Sequence, residues 1–85
     1  YPKNAVAQAQ RGYIAMKEGQ LPAARTFLET SVALNPDQLQ PLINLAVVYH
    51  AQQLPSSRIR PLLEHARELD PANQQVGAML QDLQK

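Results

Sequence analysis

The side chains most able to do chemistry in this sequence are two histidines and a pair of glutamates. His50 and His65 lie fifteen residues apart, and neither has a second ligand beside it at a spacing typical of metal sites. We interpret both as surface or groove-lining imidazoles rather than as metal ligands or proton-transfer groups. Glu64 and Glu68 lie one helical turn apart, as paired catalytic carboxylates can, but carboxylates on a helix surface more often form solvated ion pairs. The predicted partners of this pair are Arg60, Arg67 and His65.

Motifs for nucleophiles and phosphates are also missing. Ser56-Ser57 lacks the glycine-flanked turn of a nucleophile elbow and is interpreted as a helix-capping pair. The three glycines are scattered and form no phosphate loop. Arg58 and Arg60 make a basic spot too small to indicate nucleic acid. The sequence predicts a non-catalytic chain with no metal site and no cofactor. An enzyme is the minor alternative. Steady turnover that is lost when His50 or His65 is changed would establish it.

Size, charge and composition exclude further classes. The chain has 85 residues, enough for one small domain or a piece of a larger protein, and its first residue, Tyr1 rather than Met, predicts an excised or processed segment. The net charge of +1 gives no electrostatic attraction to nucleic acid or acidic membranes. The absence of cysteine excludes disulfides and leaves cytoplasmic and periplasmic locations both compatible. No apolar run approaches 18 residues, so no direct membrane insertion is expected.

One nine-residue stretch occurs twice in the chain. Residues 28–36 (LETSVALNP) return thirty-five residues later as residues 63–71 (LEHARELDP). A helical run that is stopped by Asn-Pro or Asp-Pro makes physical sense, because the residue before a proline is pushed out of the α region and the proline cannot continue the helix. Two such stops at this interval indicate an internal repeat.

The first half of the chain predicts two helices. The first covers residues 5–18, with Asn4 as its N-cap and Gly19 as its C-terminal cap. Gly12 inside this helix costs up to about 1 kcal/mol relative to Ala, which predicts that another backbone comes close there. The second helix begins at Leu21-Pro22 and ends at Asn35-Pro36.

The second half predicts three more helices. The third is capped by Asp37, runs to about residue 53 and is apolar nearly all round, which predicts burial on two sides. Pro61 lacks the N–H that a helix starting at Ser57 would need, so we expect an irregular segment over residues 55–60 and a late or kinked fourth helix. Residues 74–84 form the fifth.

Apolar spacing predicts one buried face on each helix. The predicted faces are Val6, Ala9, Tyr13 and Met16; Ala24, Phe27, Leu28, Ser31, Val32 and Leu34; Leu42, Leu45, Ala46, Val48 and Tyr49; Leu62, Leu63, Ala66 and Leu69; and Val76, Met79, Leu80 and Leu83. Small residues are expected where paired helices cross, with Gly12 against Ala24 or Ser31 and Ala46 against Ala66.

The pattern of small residues and Asx-Pro stops resembles the tetratricopeptide repeat, a 34-residue helix-turn-helix unit. Residues 4–36 and 37–71 match as two degenerate units, and residues 72–85 match as a capping helix. The usual Trp is absent, Gln53 replaces the turn glycine, and one extra residue near Ser56 lengthens the second unit. The matching positions are Gly12, Gly19, Ala24, Leu28, Ser31, Leu34 and Pro36, then Leu45, Ala46, Tyr49, Leu63, Ala66, Leu69, Asp70 and Pro71. The alternative is a generic small α-bundle.

This resemblance implies an all-α superhelix whose concave groove binds a protein or peptide. The implied groove residues are Val6, Gln10, Tyr13, Met16, Lys17, Ile43, Asn44, Val47 and His50, with Ala9, Gln40, Gln75, Ala78 and Asp82 beside them. Ala9 and Tyr13 stand where some relatives have a Lys and Asn clamp for a terminal carboxylate, so no such clamp is expected. Tyr13, Met16, Ile43 and Val47 would form an apolar strip, unless neighbouring repeats or the capping helix cover part of it. Self-association through edge helices is the second hypothesis, since solenoids usually need three or more units.

Overall fold

Five α-helices make up most of the chain in a computed structural model that describes residues 3–84. No β-strand occurs within residues 3–84, so the predicted all-α class is confirmed. Tyr1, Pro2 and the final Lys85 lie outside the described residues. The helices are α1 (Lys3–Lys17), α2 (Leu21–Leu34), α3 (Leu39–Ala51), α4 (Ser56–Leu69) and α5 (Gln74–Leu83).

Each helix packs against the next one along the chain, and α1 also contacts α3. The connecting segments are short, so consecutive helices run antiparallel. The described residues have a radius of gyration of 12.0 Å, about the value expected for a compact domain of this length. The arrangement places α3 in the middle, with α2 on one side and α4 on the other.

The crossing of α1 and α2 depends on Gly12, as predicted. A Cβ atom added at Gly12 would lie 2.6 Å from Cγ and 2.7 Å from Cδ2 of Leu28, which is fully buried. The neighbour is therefore Leu28 rather than the expected Ala24 or Ser31. Ser31 contacts α1 nearer its start, where its Oγ donates a hydrogen bond to the carbonyl of Ala5 at 2.7 Å.

Two helix ends have the same backbone conformation thirty-four positions apart. Gly19 follows α1 with φ +76°, and Gln53 follows α3 with φ +62°. The N–H of Gly19 donates to Met16 at 3.1 Å, and that of Gln53 donates to His50 at 2.9 Å. The next N–H in each case reaches back five residues, which completes a Schellman motif. Gly19 is confirmed as a cap, and Gln53 occupies the equivalent left-handed position.

The ends of α2 and α4 also match each other. Asn35 has φ −147° and ψ 97°, and Asp70 has φ −146° and ψ 85°. The N–H of each donates to the carbonyl four residues earlier, at 2.9 Å for Asn35 and 3.0 Å for Asp70. Because both precede a proline, the extended conformation is the one that the sequence favours. The repeated stretch in the sequence is thus a repeated helix ending in the structure.

Three predicted helix caps are wrong. Asn4 lies inside the first turn of α1, because that helix begins at Lys3. The cap position of α3 is Gln38, while the N–H of Asp37 donates to Oδ1 of Asn35 at 3.0 Å in a turn. The cap position of α4 is Pro55, so Ser56 and Ser57 are helical residues. In each case the helix starts earlier or later than the polar side chain suggested. By contrast, Asn73 caps α5 by accepting the N–H of Val76 at 3.0 Å.

Helix α4 is continuous through Pro61, so the predicted irregular segment over residues 55–60 is wrong. A proline inside a helix costs about 3 kcal/mol. Burial of Ile59 and Leu63 on the same helix offsets that cost, at about 1.5–3 kcal/mol for each side chain. The carbonyl of Ser57 loses its helical donor, but both Ser57 and Pro61 are exposed, so water can bind it.

The core is centred on α3, which is buried on two sides as its all-round apolar pattern predicted. Every residue from Pro41 to Ala46 is buried, as are Val48 and Tyr49. Ala46 of α3 and Ala66 of α4 are fully buried, consistent with small residues at a close helix contact. Helix α5 covers one end of the core with Val76 and Leu80, while Met79 and Leu83 are partly buried, as expected.

Several predicted core positions are exposed. The predicted stripe on α1 is displaced, because the residues that face α2 are the small ones, Ala5, Gly12 and Ala15, and Val6 and Tyr13 point outwards. Leu34 and Leu69 are also exposed, because each is the last residue of its helix and extends beyond its neighbours. The rotation of α1 about its axis is therefore set by its close contact with α2. Only the face with small side chains can come that close.

Candidate functional site

A shallow groove lies between α1 and α3, with a volume of about 470 Å³. Val6 and Tyr13 on its α1 wall are 54% and 47% exposed, and Ile14 is 55% exposed. None of the side chains that line it has a formal charge. A contiguous apolar patch beside polar groups is typical of interaction sites. We name this feature the α1–α3 groove, which is lined by Val6, Ala9, Gln10, Tyr13, Ile14, Gln38, Gln40, Pro41 and Asn44.

Carboxamides form the polar part of the α1–α3 groove. Nε2 of Gln40 donates to Oδ1 of Asn44 at 2.9 Å, which fixes both side chains on α3. Gln38 is held more firmly, because its Nε2 lies 3.0 Å from Oγ of Ser31 and 3.0 Å from the carbonyl of Asn35. Gln10 faces them from α1 and is exposed. An amide group both donates and accepts, so such a surface can pair with a peptide backbone.

A second depression lies between α3, α4 and α5, with a volume of about 280 Å³. Its floor is made by Ile59 and Leu63 of α4, which are fully or almost fully buried. Its rim has exposed polar residues from α3 and α5. We name this feature the α3–α5 cavity, which is lined by Val47, His50, Ile59, Leu63, Gln75, Met79, Asp82 and Leu83.

The structure divides the predicted groove residues between these two depressions. Four of them, Val6, Gln10, Tyr13 and Asn44, lie together in the α1–α3 groove. Val47 and His50 line the α3–α5 cavity instead. The residues of the expected single strip are therefore divided between two depressions, and α3 lines both of them.

Three predicted residues line neither depression. Ile43 is only 1% exposed, packs in the core and lines neither depression, in contrast to its prediction as a groove residue. Met16 is partly buried and packs against the core. Lys17 is exposed, with its ammonium 5.9 Å from the centre of the Tyr13 ring. A cation at this distance from an exposed ring contributes an attraction of about 0.5–1 kcal/mol.

Sequence reasoning did not assign several of the lining residues to a binding surface. Ile14 and Pro41 line the α1–α3 groove, and Ile59 and Leu63 of α4 form the floor of the α3–α5 cavity. Ile14 is a large apolar residue that lies outside the predicted buried face of α1. An apolar side chain at such a position is the one sequence feature that would have indicated an exposed binding residue. The floor residues have ordinary core spacing, so nothing in the sequence separates them from the rest of the core.

The two histidines have different surroundings. His50 is exposed at the rim of the α3–α5 cavity. His65 Nε2 lies 2.9 Å from Oδ1 of Asp37, and its Nδ1 lies 3.9 Å from Oε1 of Glu68. The Asp37 contact ties α4 to the turn before α3, which indicates a structural role for His65. Glu64 and Glu68 are exposed, in agreement with a solvated helix face.

A polar cluster that the sequence did not predict joins three helices around Tyr49. The Tyr49 hydroxyl donates to Oε2 of Glu29, which also accepts Nε of Arg25 at 3.2 Å. The guanidinium groups of Arg25 and Arg58 lie 5.2 and 5.4 Å from the centre of the Tyr49 ring. Burial raises the pKa of Tyr49 above its usual 10.0, and the bond to Glu29 raises the pKa further. The cluster holds a neutral phenol and links α2, α3 and α4.

The described residues contain neither a cluster for a metal ion nor a helix for a membrane. Across residues 3–84, no three His, Asp or Glu side chains come together in a way that could hold a metal ion. None of the helices in that part of the chain has the length and apolar character needed to cross a membrane. The α1–α3 groove and the α3–α5 cavity are therefore the features from which a function can be argued.

Comparison with known proteins adds no relative. No protein-family model matches the chain, and neither the curated proteins nor the solved structures include a match.

Proposed function

We propose that this domain binds a peptide segment of a partner protein in the α1–α3 groove and performs no catalysis. The observation that carries the proposal is an exposed, uncharged, largely apolar groove with carboxamides along one wall. Large apolar side chains that remain half exposed in this way are typical of surfaces that a partner covers. Because the lining has no formal charge, the expected ligand is an uncharged segment rather than a terminal carboxylate.

The architecture proposed with this function is two tetratricopeptide-like units, residues 4–36 and 37–71, and a capping helix over residues 72–85. Matching helix ends at Gly19 and Gln53, and again at Asn35 and Asp70, support a structural repeat of 34–35 residues. In such a superhelix, α1, α3 and α5 would lie on one concave side. The α1–α3 groove and the α3–α5 cavity would then be adjacent sections of one binding surface.

Apolar contact would provide most of the affinity. Burial of a whole Val or Phe-sized side chain contributes about 1.5–3 kcal/mol, so covering the exposed half of Val6 or Tyr13 contributes roughly 1 kcal/mol each. Gln10, Gln40 and Asn44 would orient the segment through hydrogen bonds to its backbone. Since such bonds replace bonds to water, they add specificity more than affinity.

The test compares two exposed, neighbouring residues of α1, of which only one lines the groove. Val6 lines the groove and Ala7 does not, although both are exposed. Peptides selected from a displayed random library on the wild-type domain are titrated against Val6→Asp and Ala7→Asp. We expect Val6→Asp to weaken binding at least about 5-fold, equivalent to the loss of roughly 1 kcal/mol. Ala7→Asp should bind like the wild type, because the same charge then lies outside the groove.

Circular dichroism of both variants controls for loss of fold. Equal binding by the wild type and Val6→Asp, with both folded, would place the ligand site elsewhere. Failure to select any peptide under conditions in which the domain is folded and monomeric would also contradict a peptide-binding role.

Self-association is the second candidate function, and the exposed apolar residues of α1 favour it. Val6, Tyr13 and Ile14 all belong to this one helix, which packs mainly on α2 and also contacts α3. Two copies could bury these side chains by pairing their α1 helices. Light scattering over a concentration series distinguishes the candidates, since a peptide-binding monomer keeps one mass. A dimer that Ile14→Asp dissociates would favour self-association.

A further inference from the structure

The α3–α5 cavity has the form of a pocket for a single large side chain. Its floor, Ile59 and Leu63, is apolar and buried, and its rim includes the exposed polar residues His50, Gln75 and Asp82. We propose that this cavity is an anchor pocket that receives one tryptophan side chain of the bound peptide. The inference rests on the proposed peptide-binding function, and it names the residue type that this function requires.

The volume fits an aromatic bicycle. An apolar protein cavity of about 150 Å³ is large enough to bind benzene. The α3–α5 cavity measures about 280 Å³, which leaves room for the second ring of an indole. Aliphatic side chains would fill this space less completely and would lose dispersion contacts with the walls.

The polar rim favours an aromatic group with a hydrogen-bond donor. A buried tryptophan needs an acceptor for its indole N–H. Gln75 and Asp82 of α5 line the cavity, and their side chains carry a carboxamide oxygen and carboxylate oxygens as possible acceptors. A carboxylate can accept several hydrogen bonds at once, so another contact of Asp82 leaves capacity for the indole. Phenylalanine and leucine have no donor and would leave these oxygens without a new partner.

The cavity is close enough to the groove for one peptide to occupy both. Asn44 lines the α1–α3 groove and Val47 lines the α3–α5 cavity. These residues are three positions apart on α3, a rise of about 4.5 Å along the helix. A peptide that lies across α3 can therefore contact the amides of the groove and insert the next large side chain into the cavity.

The chain's two methionines allow a direct test in the full wild-type protein. Met79 lines the α3–α5 cavity, whereas Met16 lies on α1 and lines neither depression. The methyl groups are labelled with ¹³C, and N-acetyl-tryptophanamide is added to concentrations on the order of 1 mM, where a ligand of this size is expected to bind. We expect the indole ring to shift the Met79 methyl signal saturably and to leave Met16 in place. No shift of Met79, or an equal shift of both signals, would overturn the proposal.

Fluorescence gives an independent measurement, because the chain contains no tryptophan of its own. The emission of N-acetyl-tryptophanamide should shift to shorter wavelength as the indole leaves water. Competition with N-acetyl-phenylalaninamide should show that the indole compound binds about 3- to 10-fold more tightly, the factor expected from one net hydrogen bond. Equal or tighter binding of the phenylalanine compound would contradict the role of the rim.

Two variants separate this inference from the proposed function. Val47→Phe fills the cavity and should abolish the Met79 shift, while Val6→Asp changes the groove and should leave that shift intact. If Val6→Asp does not affect selected peptides but the Met79 shift persists, the groove proposal fails and the pocket stands. If Val6→Asp weakens the peptides but their binding needs no tryptophan, the pocket proposal fails and the groove stands. The wild-type methyl measurement remains decisive even where Val47→Phe does not fold.

Discussion

Substituting Gly12 by alanine tests the helix contact on which the orientation of α1 depends. The added Cβ atom would lie 2.6 Å from Cγ and 2.7 Å from Cδ2 of Leu28, and 3.3 Å from the Leu28 backbone nitrogen. Carbon atoms prefer separations of about 3.5–4.0 Å, so the contact is about 1 Å too short. Leu28 is fully buried and cannot move into solvent. Relief therefore requires α1 and α2 to separate or Leu28 to leave its rotamer.

Two opposing contributions set the expected magnitude. Replacement of glycine by alanine inside a helix gains about 1 kcal/mol of helix propensity. Overpacking a core costs about 1–3 kcal/mol, and a contact this short belongs in the upper half of that range. We therefore expect Gly12→Ala to destabilise the domain by about 1–2 kcal/mol, whereas propensity alone would stabilise it.

Gly77 provides the matched control. It lies inside α5, and a Cβ atom added there would have no neighbour within 4 Å. Gly77→Ala should stabilise the domain by about 0.5–1 kcal/mol. The measurement is urea unfolding followed by circular dichroism, with an unchanged m-value as evidence that the unfolding reaction is the same. If both variants stabilise the domain equally, α1 and α2 do not approach closely at Gly12, and our account of the rotation of α1 is wrong.

A double mutant shows whether Leu28 is the side chain responsible. Leu28→Ala by itself should cost about 2–5 kcal/mol. It removes the two side-chain atoms nearest to the added methyl group. In this background Gly12→Ala should become neutral or stabilising, a coupling of about 1–3 kcal/mol. Additive effects would assign the strain to another neighbour.

Three further predictions follow from single contacts. Gln53→Gly should stabilise the domain by about 0.5–1 kcal/mol. Glycine removes the cost of a left-handed conformation at this position, and the greater conformational entropy that it gives the unfolded chain cancels only part of that gain. A lower urea midpoint than that of the wild type would contradict this. Asn73→Ala should destabilise by about 1 kcal/mol through loss of the α5 cap, measured in the same way, and no change would mean that the bond to Val76 contributes nothing. The raised pKa of Tyr49 means that the native state keeps this proton above pH 10.0, so stability is complete below pH 10.0 and declines as the pH rises through the folded-state pKa. Tyr49→Phe should make urea midpoints between about pH 9 and pH 11 less dependent on pH, and an unchanged slope would refute the assignment.

Local sequence signals predicted where the helices end better than where they begin. Gly19, Asn35-Pro36 and Asp70-Pro71 ended helices where expected, since backbone conformation at these positions depends on the residue and its neighbours. The all-round apolar pattern of α3 predicted its central place. Pro61 is the exception. The burial of the apolar face of α4 outweighed the tendency of a proline to interrupt a helix.

Side-chain surroundings were harder to predict than helices. Asp37 has the type and position of an N-cap, but it instead turns towards Asn35 and His65. The cluster of Tyr49 with Glu29 and two arginines involves three helices, and no spacing within one helix reveals it. These contacts depend on how helices are placed relative to one another, which is a property of the whole core.

Residue types and their local order were enough to predict five helices, the C-terminal ends of α1, α2 and α4, the repeat interval and the small residue at Gly12. The direction of each helix face, and with it the candidate site, depended on packing across the whole domain. This is because the rotation of a helix about its axis is set by its closest contact, here Gly12 against Leu28. That contact turned Val6 and Tyr13 outwards, while packing on both sides of α3 buried Ile43 and left two depressions in place of one strip.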